Sequence, residues 1–239
     1  MNLKAKEGVI KFFVEIVIIF FGITLSFLFE EFREGRKERQ LKKEVIISLI
    51  DDIKLKKLEL EGDRINIQET IDPIDSCLLL SKMNQPLSVA LVENLVSSIS
   101  YDFGSFTTTT PTYVSLATSA LWQQLPDTIK RQVFNLYNGD FTYVENTILK
   151  TNDFTVYLKN HFFTIHHFSF FSLPGSSTQL ESIDEKITEQ ITSSLKDPEF
   201  RSAILNIRNE RIKTIRVQKW AVKNSEKVVA NLKKYLNEM

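Results

Sequence analysis

The strongest feature of the hydrophobic pattern is an apolar run near the start of the chain, residues 12–29, FFVEIVIIFFGITLSFLF. Its eighteen residues would span about 27 Å as a helix, close to the thickness of a bilayer's hydrocarbon core. One carboxylate, Glu15, interrupts the run. The pattern predicts a transmembrane helix over residues 9–29, preceded by an N-terminal tail of residues 1–8.

The flanks of this run favour a retained anchor over a cleaved signal peptide. The run ends in Glu30 and Glu31 without a small-x-small cleavage site, and a charged helical pattern continues from it. Lys and Arg are more frequent just after the run than before it, so the positive-inside rule favours a cytoplasmic C-terminal domain. We therefore expect a single-pass protein of the inner membrane.

Helical periodicity continues beyond the anchor. Apolar positions from Leu41 to Ile53 recur at helical spacing, which predicts a stalk helix over residues 30–62 that continues the membrane helix. Gly62 and then Asp72-Pro73 are the expected stops. The remainder, residues 63–239, is expected to form a helical bundle.

The end of the chain predicts a long helix over residues 198–237, which starts at Asp197-Pro198 and contains no later Gly or Pro. Two rows spaced by sevens run along it: Ile215, Val222, Val229 and Leu236, and beside them Ile204, Arg211, Gln218, Ser225 and Leu232. This coiled-coil-like seam is diluted by polar residues. It predicts that the C-terminal helix packs antiparallel on the stalk helix.

Shorter helices fill the middle of the chain, and local signals mark their ends. Thr110 can cap a helix whose first residue is Pro111. A later helix should stop at Asn138-Gly139. A capping box formed by Ser182 and Glu185 predicts a further helix start.

Composition and charge indicate the fold class and restrict the possible functions of the protein. The 239 residues include only seven Gly and six Pro, which favours an all-α protein. Thirty basic and thirty acidic residues balance, so no basic excess points to nucleic acid. Cys77 is the only cysteine and is expected to be a buried thiol. No phosphate-binding loop, nucleophile elbow or H-E-x-x-H motif is present, which predicts a protein that is not an enzyme.

One face of the membrane segment carries the candidate site. Glu15, Ile19, Gly22 and Ser26 follow one another at steps of four, three and four. Gly22 and Ser26 form a small-xxx-small pair that lets another helix approach, and a protonated Glu15 could hydrogen-bond across. An ion or proton path through Glu15 is the second interpretation. A third places Glu15 near the membrane surface, paired with Lys11.

The three histidines lie in the most aromatic segment, NHFFTIHHFSFF. His161, His166 and His167 have spacings that do not suit a helical metal-binding pair, and no carboxylate lies between them. We expect no metal site there, but a buried aromatic face or one lying on lipid headgroups.

Three sequence motifs together carry a family resemblance. They are Glu15-Ile16 with Gly22-Ile23 and the charged stalk, Pro111-Thr112-Tyr113 with Ile129-Lys130-Arg131-Gln132-Val133, and Ala203-Ile204-Leu205-Asn206-Ile207-Arg208. Over nearly the full length, this combination resembles an uncharacterised family of small bacterial single-pass membrane proteins, a domain of unknown function. The resemblance implies a helical fold and a location in a bacterial membrane, and it carries over no activity.

These observations predict a non-enzymatic, membrane-anchored helical module, homo-oligomeric, that acts as a scaffold or sensor. The alternative is a small oligomeric ion or proton channel subunit with Glu15 facing the pore. The expected partners are membrane lipid, further copies of the chain and a protein that could bind the helical domain. Nucleic acid and cofactors are not expected.

Overall fold

The computed structural model describes residues 3–101, 103–158 and 183–239, with side chains from residue 17 onward. Every regular element in these ranges is helical, as the all-α prediction requires. The helices are α1 (Leu3–Lys82), α2 (Val89–Ser100), α3 (Pro111–Ala117), α4 (Ala120–Gln123), α5 (Asp127–Asn135), α6 (Thr142–Leu158), α7 (Glu185–Ser194) and α8 (Pro198–Glu238). A π-helical segment, Leu136–Phe141, joins α5 to α6.

Helix α1 runs for 80 residues, about 120 Å at about 1.5 Å per residue. The stops predicted at Gly62 and at Asp72-Pro73 are wrong, because α1 passes through both. Pro73 removes only one intrahelical hydrogen bond, the one that its missing N–H would donate to the Glu69 carbonyl. Ile67 and Ile74 are buried on either side of it. Packing along the bundle therefore outweighs the two local helix breakers.

The part of the chain that the structure describes contains no helix that is long and apolar enough to span a membrane. The all-α prediction is thus confirmed, whereas its transmembrane part over residues 9–29 is not supported by the structure. These residues form the N-terminal part of α1, which continues through the expected stalk, residues 30–62, into the bundle. The limit drawn between residues 62 and 63 consequently falls inside a helix.

Helix α8 packs antiparallel along α1, as the sequence predicts. The Lys57 ammonium contacts the Glu226 carboxylate at 2.6 Å, while Arg208, earlier in α8, pairs with Asp75, later in α1. Asp197 caps the start of α8, and its carboxylate accepts a hydrogen bond from the backbone N–H of the second helical residue at 3.2 Å. The long antiparallel pair forms the frame on which the shorter helices pack.

Both long helices bury a row of residues spaced by sevens. On α1 the buried row is Ile46, Ile53, Leu60, Ile67 and Ile74. On α8 it is Ile204, Arg211, Gln218, Ser225 and Leu232, each with no exposed surface. A seven-residue repeat is the spacing of a left-handed coiled coil. The predicted seam is confirmed, and its polar row is the more deeply buried of the two rows on α8.

Local capping signals give a mixed result. The Thr110 hydroxyl accepts a hydrogen bond from the Tyr113 backbone N–H at 3.2 Å, and Pro111 is the first residue of α3, as predicted. The start of α7 differs from the prediction. Asp184 is its N-cap, and its carboxylate accepts from the Ile187 backbone N–H at 2.9 Å. Ser182, the expected cap, lies outside the described residues.

The stop predicted at Asn138-Gly139 is also wrong. The chain passes through the π-helical segment and continues as α6. Gly139 does not adopt the positive φ that a glycine has after a helix end. Tyr137 and Phe141 are each at most 1% exposed and pack edge-to-face at 5.3 Å. Burying both rings favours an extra residue in the turn over a helix end.

The core has two apolar halves along the length of the bundle. The larger half lies around Ile53, Phe106 and Tyr137. The smaller half lies around Ile74 and Phe200 and is closed by α2 and α7. Between the two halves the buried residues of α8 are polar, and this polar layer contains the buried arginine described below.

Candidate functional site

The described part of the predicted association face is exposed on one side of α1. Ile19 is 61% exposed, and Gly22 and Ser26 are exposed beside it. Apart from the backbone of its own helical turns and its chain neighbours, nothing lies within 4 Å of the position that a Cβ on Gly22 would take, so a neighbouring helix can approach there. The Ser26 hydroxyl donates to the Gly22 carbonyl at 2.8 Å, inside its own helix. The side chain of Glu15 lies outside the described residues.

Large apolar side chains surround this face on every side of the helix. They are exposed to between 46% and 72%: Val17, Ile18, Ile19, Phe20, Phe21, Ile23, Leu25, Phe27, Leu28, Phe29 and Phe32. Isolated exposed hydrophobic residues are common on protein surfaces, but an exposed apolar area as continuous as this one marks contact with a membrane or another protein. We call residues 17–32 the apolar segment.

A second group of exposed apolar residues lies farther along α1, beside the bundle. Leu55, Leu58 and Ile65 are 65%, 61% and 58% exposed, and Gly62 has open space around it. Leu60, only two residues from Leu58, is completely buried, because about 100° per residue turns it to the opposite side of the helix. We call Leu55, Leu58, Gly62 and Ile65 the outer patch. It faces away from α8.

Arg211 occupies the polar layer between the two halves of the core. Its Nη2 donates to the Ser98 carbonyl at 2.6 Å, and its Nη1 donates to the Thr70 carbonyl at 3.3 Å. The guanidinium therefore joins α8 to both α1 and α2. Ser98 lies in the last turn of α2, where the helix dipole is negative and stabilises a cation.

The surroundings of Arg211 lower the pKa of its guanidinium but leave it charged. Burial lowers the pKa of the guanidinium to about 10, and the nearby Tyr101 opposes this shift. The guanidinium also lies over the Phe103 ring, 5.4 Å from its centroid. Arg211 stays protonated at neutral pH. The sequence placed Arg211 on the seam but did not reveal that it is buried; its position in a row with Ile204 and Leu232 was the available signal.

An open cleft of about 440 Å³ lies over this layer, between α1 and α2. It is lined by Asn66, Glu69, Thr70, Pro73, Asn94, Ser97, Ser98 and Tyr101. The lining offers amide, hydroxyl and carboxylate groups, so a small polar molecule would fit its chemistry better than an apolar one. Both Nη atoms of Arg211 are engaged by carbonyl groups of this lining, which makes the arginine a structural support of the cleft.

The remaining candidates from the sequence are the cysteine and the histidines. Cys77 is buried, as predicted, and burial raises the pKa of its thiol to about 12. No group of three or more His, Cys, Asp or Glu side chains in the described ranges could hold a metal ion. The three histidines, His161, His166 and His167, lie outside those ranges.

The helices and the geometry of α1 define this chain as an all-α protein with one helix that extends beyond its bundle. Comparison with protein-family models, with curated proteins and with solved structures finds no match to this chain. Its function must therefore be inferred from its own residues.

Proposed function

We propose that this protein is a non-enzymatic, membrane-anchored helical module of a bacterial inner membrane, which acts as a homo-oligomeric scaffold or sensor. The observation that carries the proposal is the apolar segment, whose large side chains are exposed on every side of α1. A lipid environment would cover all sides of such a helix at once. The resemblance to small bacterial single-pass membrane proteins points the same way.

The residues at the end of the apolar segment and just after it support a membrane surface at this point of α1. The guanidinium of Arg36 lies over the Phe32 ring, 5.0 Å from its centroid, and Arg33 pairs with Glu30. Aromatic rings and long basic side chains are the residues that favour a membrane surface. We place this surface near Phe32, with the bundle in the cytoplasm.

The continuity of α1 supports a scaffold or sensor role. One helix carries the apolar segment and then contributes the buried row that packs against α8. A change of helix contacts in the membrane would reach the bundle directly, because no loop lies between the two parts. Conversely, a molecule bound in the polar cleft beside Pro73, or a protein bound to the bundle, could change the position of the same helix in the membrane.

A small oligomeric ion or proton channel subunit is the alternative. It is favoured by one sequence observation, the carboxylate of Glu15 inside the apolar run of residues 12–29. In that arrangement Glu15 faces the axis of a ring of helices, one from each chain, and contacts between the bundles of neighbouring chains hold the ring together.

Membrane attachment is tested by expressing the full chain in bacteria and washing the membrane fraction with alkaline carbonate. The wild type is expected to stay in the pellet, and a Phe20→Asp, Ile23→Asp double variant is expected to move to the supernatant. Leu149→Asp is the matched control, because Leu149 is 50% exposed on α6 in the bundle. Release of the wild type by the wash would overturn the proposal, and a reporter fused to the C-terminus gives the side of the membrane.

The channel alternative is tested separately, with purified protein in liposomes. Proton or ion flux that is abolished by Glu15→Gln would favour the channel. No flux from protein that is inserted and oligomeric would leave the scaffold or sensor role as the supported function.

A further inference from the structure

We propose that the outer patch of α1 is an interface with a second copy of this chain, arranged parallel and in register. The proposal rests on the proposed function in one respect, since two copies anchored in one membrane point the same way. It adds a contact outside the membrane segment. The outer patch consists of Leu55, Leu58, Gly62 and Ile65, and its three large side chains are each more than half exposed.

The spacing of the patch is that of a coiled-coil contact. Leu55, Leu58, Gly62 and Ile65 follow one another at steps of three, four and three. These are the a and d positions of a heptad pattern, so all four face one partner helix. The buried row on the other side of α1 also repeats by sevens, so the patch keeps its orientation away from α8 along the bundle.

The charges beside the patch fit a second copy in the parallel orientation. In the same heptad pattern Lys54 takes the g position and Glu59 takes the following e position. In a parallel pair these positions face each other across the interface, which gives two Lys54–Glu59 pairs related by the twofold axis. In an antiparallel pair, Glu59 would instead face the partner edge that carries Asp52 and Glu59, and like charges would meet.

In the single chain, both charged side chains pair with neighbours on α1 itself. Lys54 pairs with Asp51 at 2.7 Å, and Glu59 pairs with Lys56 at 2.9 Å, both within one turn of α1. The Lys54 and Glu59 side chains are 49% and 38% exposed. The Lys54–Asp51 pair is a local surface pair of the kind that contributes little to stability. The Lys56 side chain is only 12% exposed, so Glu59 is expected to keep this partner and to accept a second cation on its exposed side. Lys54 can therefore turn towards the Glu59 carboxylate of a second chain.

The apolar contact is tested by cross-linking the full-length protein in a mild detergent. Cys77→Ser removes the only cysteine, and Leu58→Cys then places a thiol at a position that meets itself in a parallel, in-register pair. We expect a disulfide-linked dimer from Leu58→Cys under mild oxidation. Leu149→Cys in the same background is the control and should stay monomeric on a denaturing gel. Equal cross-linking of both variants, or none at position 58, would overturn the proposal.

The charge pairing is tested by the dissociation constant of the dimer, measured by analytical ultracentrifugation. Leu58→Glu should raise the dissociation constant about tenfold or more, since the leucine side chain is no longer buried in the interface. Lys54→Glu should also weaken the dimer, and adding Glu59→Lys to the same chain should restore it. No recovery in the double variant would refute the parallel register. Circular dichroism should show unchanged helix content, because all three side chains are exposed in the single chain.

This inference and the proposed function can fail independently. Protein that resists the carbonate wash but does not cross-link at position 58 overturns the interface and leaves membrane attachment in place. Protein that cross-links at position 58 but is released by the wash overturns the membrane proposal and keeps the interface.

Discussion

The buried amide of Gln218 offers a sharp test of how the α1–α8 contact is built. Gln218 has no exposed surface, and neither Nε2 nor Oε1 has a hydrogen-bond partner among the described residues. It lies on α8 in the same buried row as Arg211 and Ser225. The two Nη atoms of Arg211 reach carbonyl groups, whereas neither amide atom of Gln218 is paired within the described part of the chain. We therefore predict that an apolar side chain of similar length stabilises the fold.

The expected gain follows from the cost of an unpaired amide. Burying such a group without a hydrogen bond costs about 1–3 kcal/mol in protein mutational data. Methionine has nearly the same length and volume as glutamine, so Gln218→Met adds little strain or cavity. The free energy of unfolding should rise by about 1–3 kcal/mol. For a chain of this size, each kcal/mol raises the Tm by roughly 2–4 °C.

The assay is urea unfolding of the full-length protein in mild detergent, followed by circular dichroism. Gln190→Met on α7 is the matched control, since Gln190 is exposed and its replacement should change the unfolding free energy by less than about 0.5 kcal/mol. A loss of about 1 kcal/mol or more in Gln218→Met would refute the reasoning. It would show that the amide makes hydrogen bonds that stabilise the contact between α1 and α8.

Three further predictions concern the bundle. Leu60→Ala should lower the unfolding free energy by about 2–5 kcal/mol, because it opens a cavity at a fully buried position, whereas Leu149→Ala on α6 should have little effect in the same urea titration. Arg208→Lys should lower the unfolding free energy by about 1 kcal/mol, since a lysine cannot form the two-pronged, partly exposed pair with Asp75 in which Nη2 donates to Oδ2 at 3.0 Å. Equal stability of the variant and the wild type would contradict this. Burial raises the pKa of the Asp140 carboxyl, so its contribution to stability is present in acid and is lost as pH rises through the folded-state pKa. The stability advantage of Asp140→Asn over wild type should therefore grow as pH rises from about 3 to neutral. An advantage of the same size at both ends of this range would argue against burial as the cause.

Local sequence signals predicted the element starts that local chemistry fixes. The Thr110 hydroxyl and the Asp197 carboxylate each satisfy a free backbone N–H at a helix start, and both act within three residues. The predicted stops failed for the opposite reason. At Gly62 and Asp72-Pro73 the local preference to end a helix is small, and packing against residues more than a hundred positions away outweighs it.

Some residues of the candidate site could likewise be predicted from local sequence, and others could not. The face that contains Ile19, Gly22 and Ser26 could be drawn from spacing alone, because every helix places residues three and four apart on one side. The outer patch could not, since Leu58 and Leu60 look alike in the sequence and differ only in which one meets α8. Arg211 was equally hidden, because its burial depends on the carbonyl groups of Thr70 and Ser98 brought to it by two other helices.

The sequence by itself determined that this protein is all helical, that an apolar segment precedes a bundle, and that a long C-terminal helix with a seven-residue seam returns along the first. These properties follow from periodicity, which one stretch of chain contains completely. Only the tertiary structure decided that the first helix continues unbroken to Lys82, that a buried arginine divides the core, and which side of α1 stays open. Each of these depends on contacts between distant parts of the chain, and the free energy of that packing exceeds the local preferences that the sequence displays.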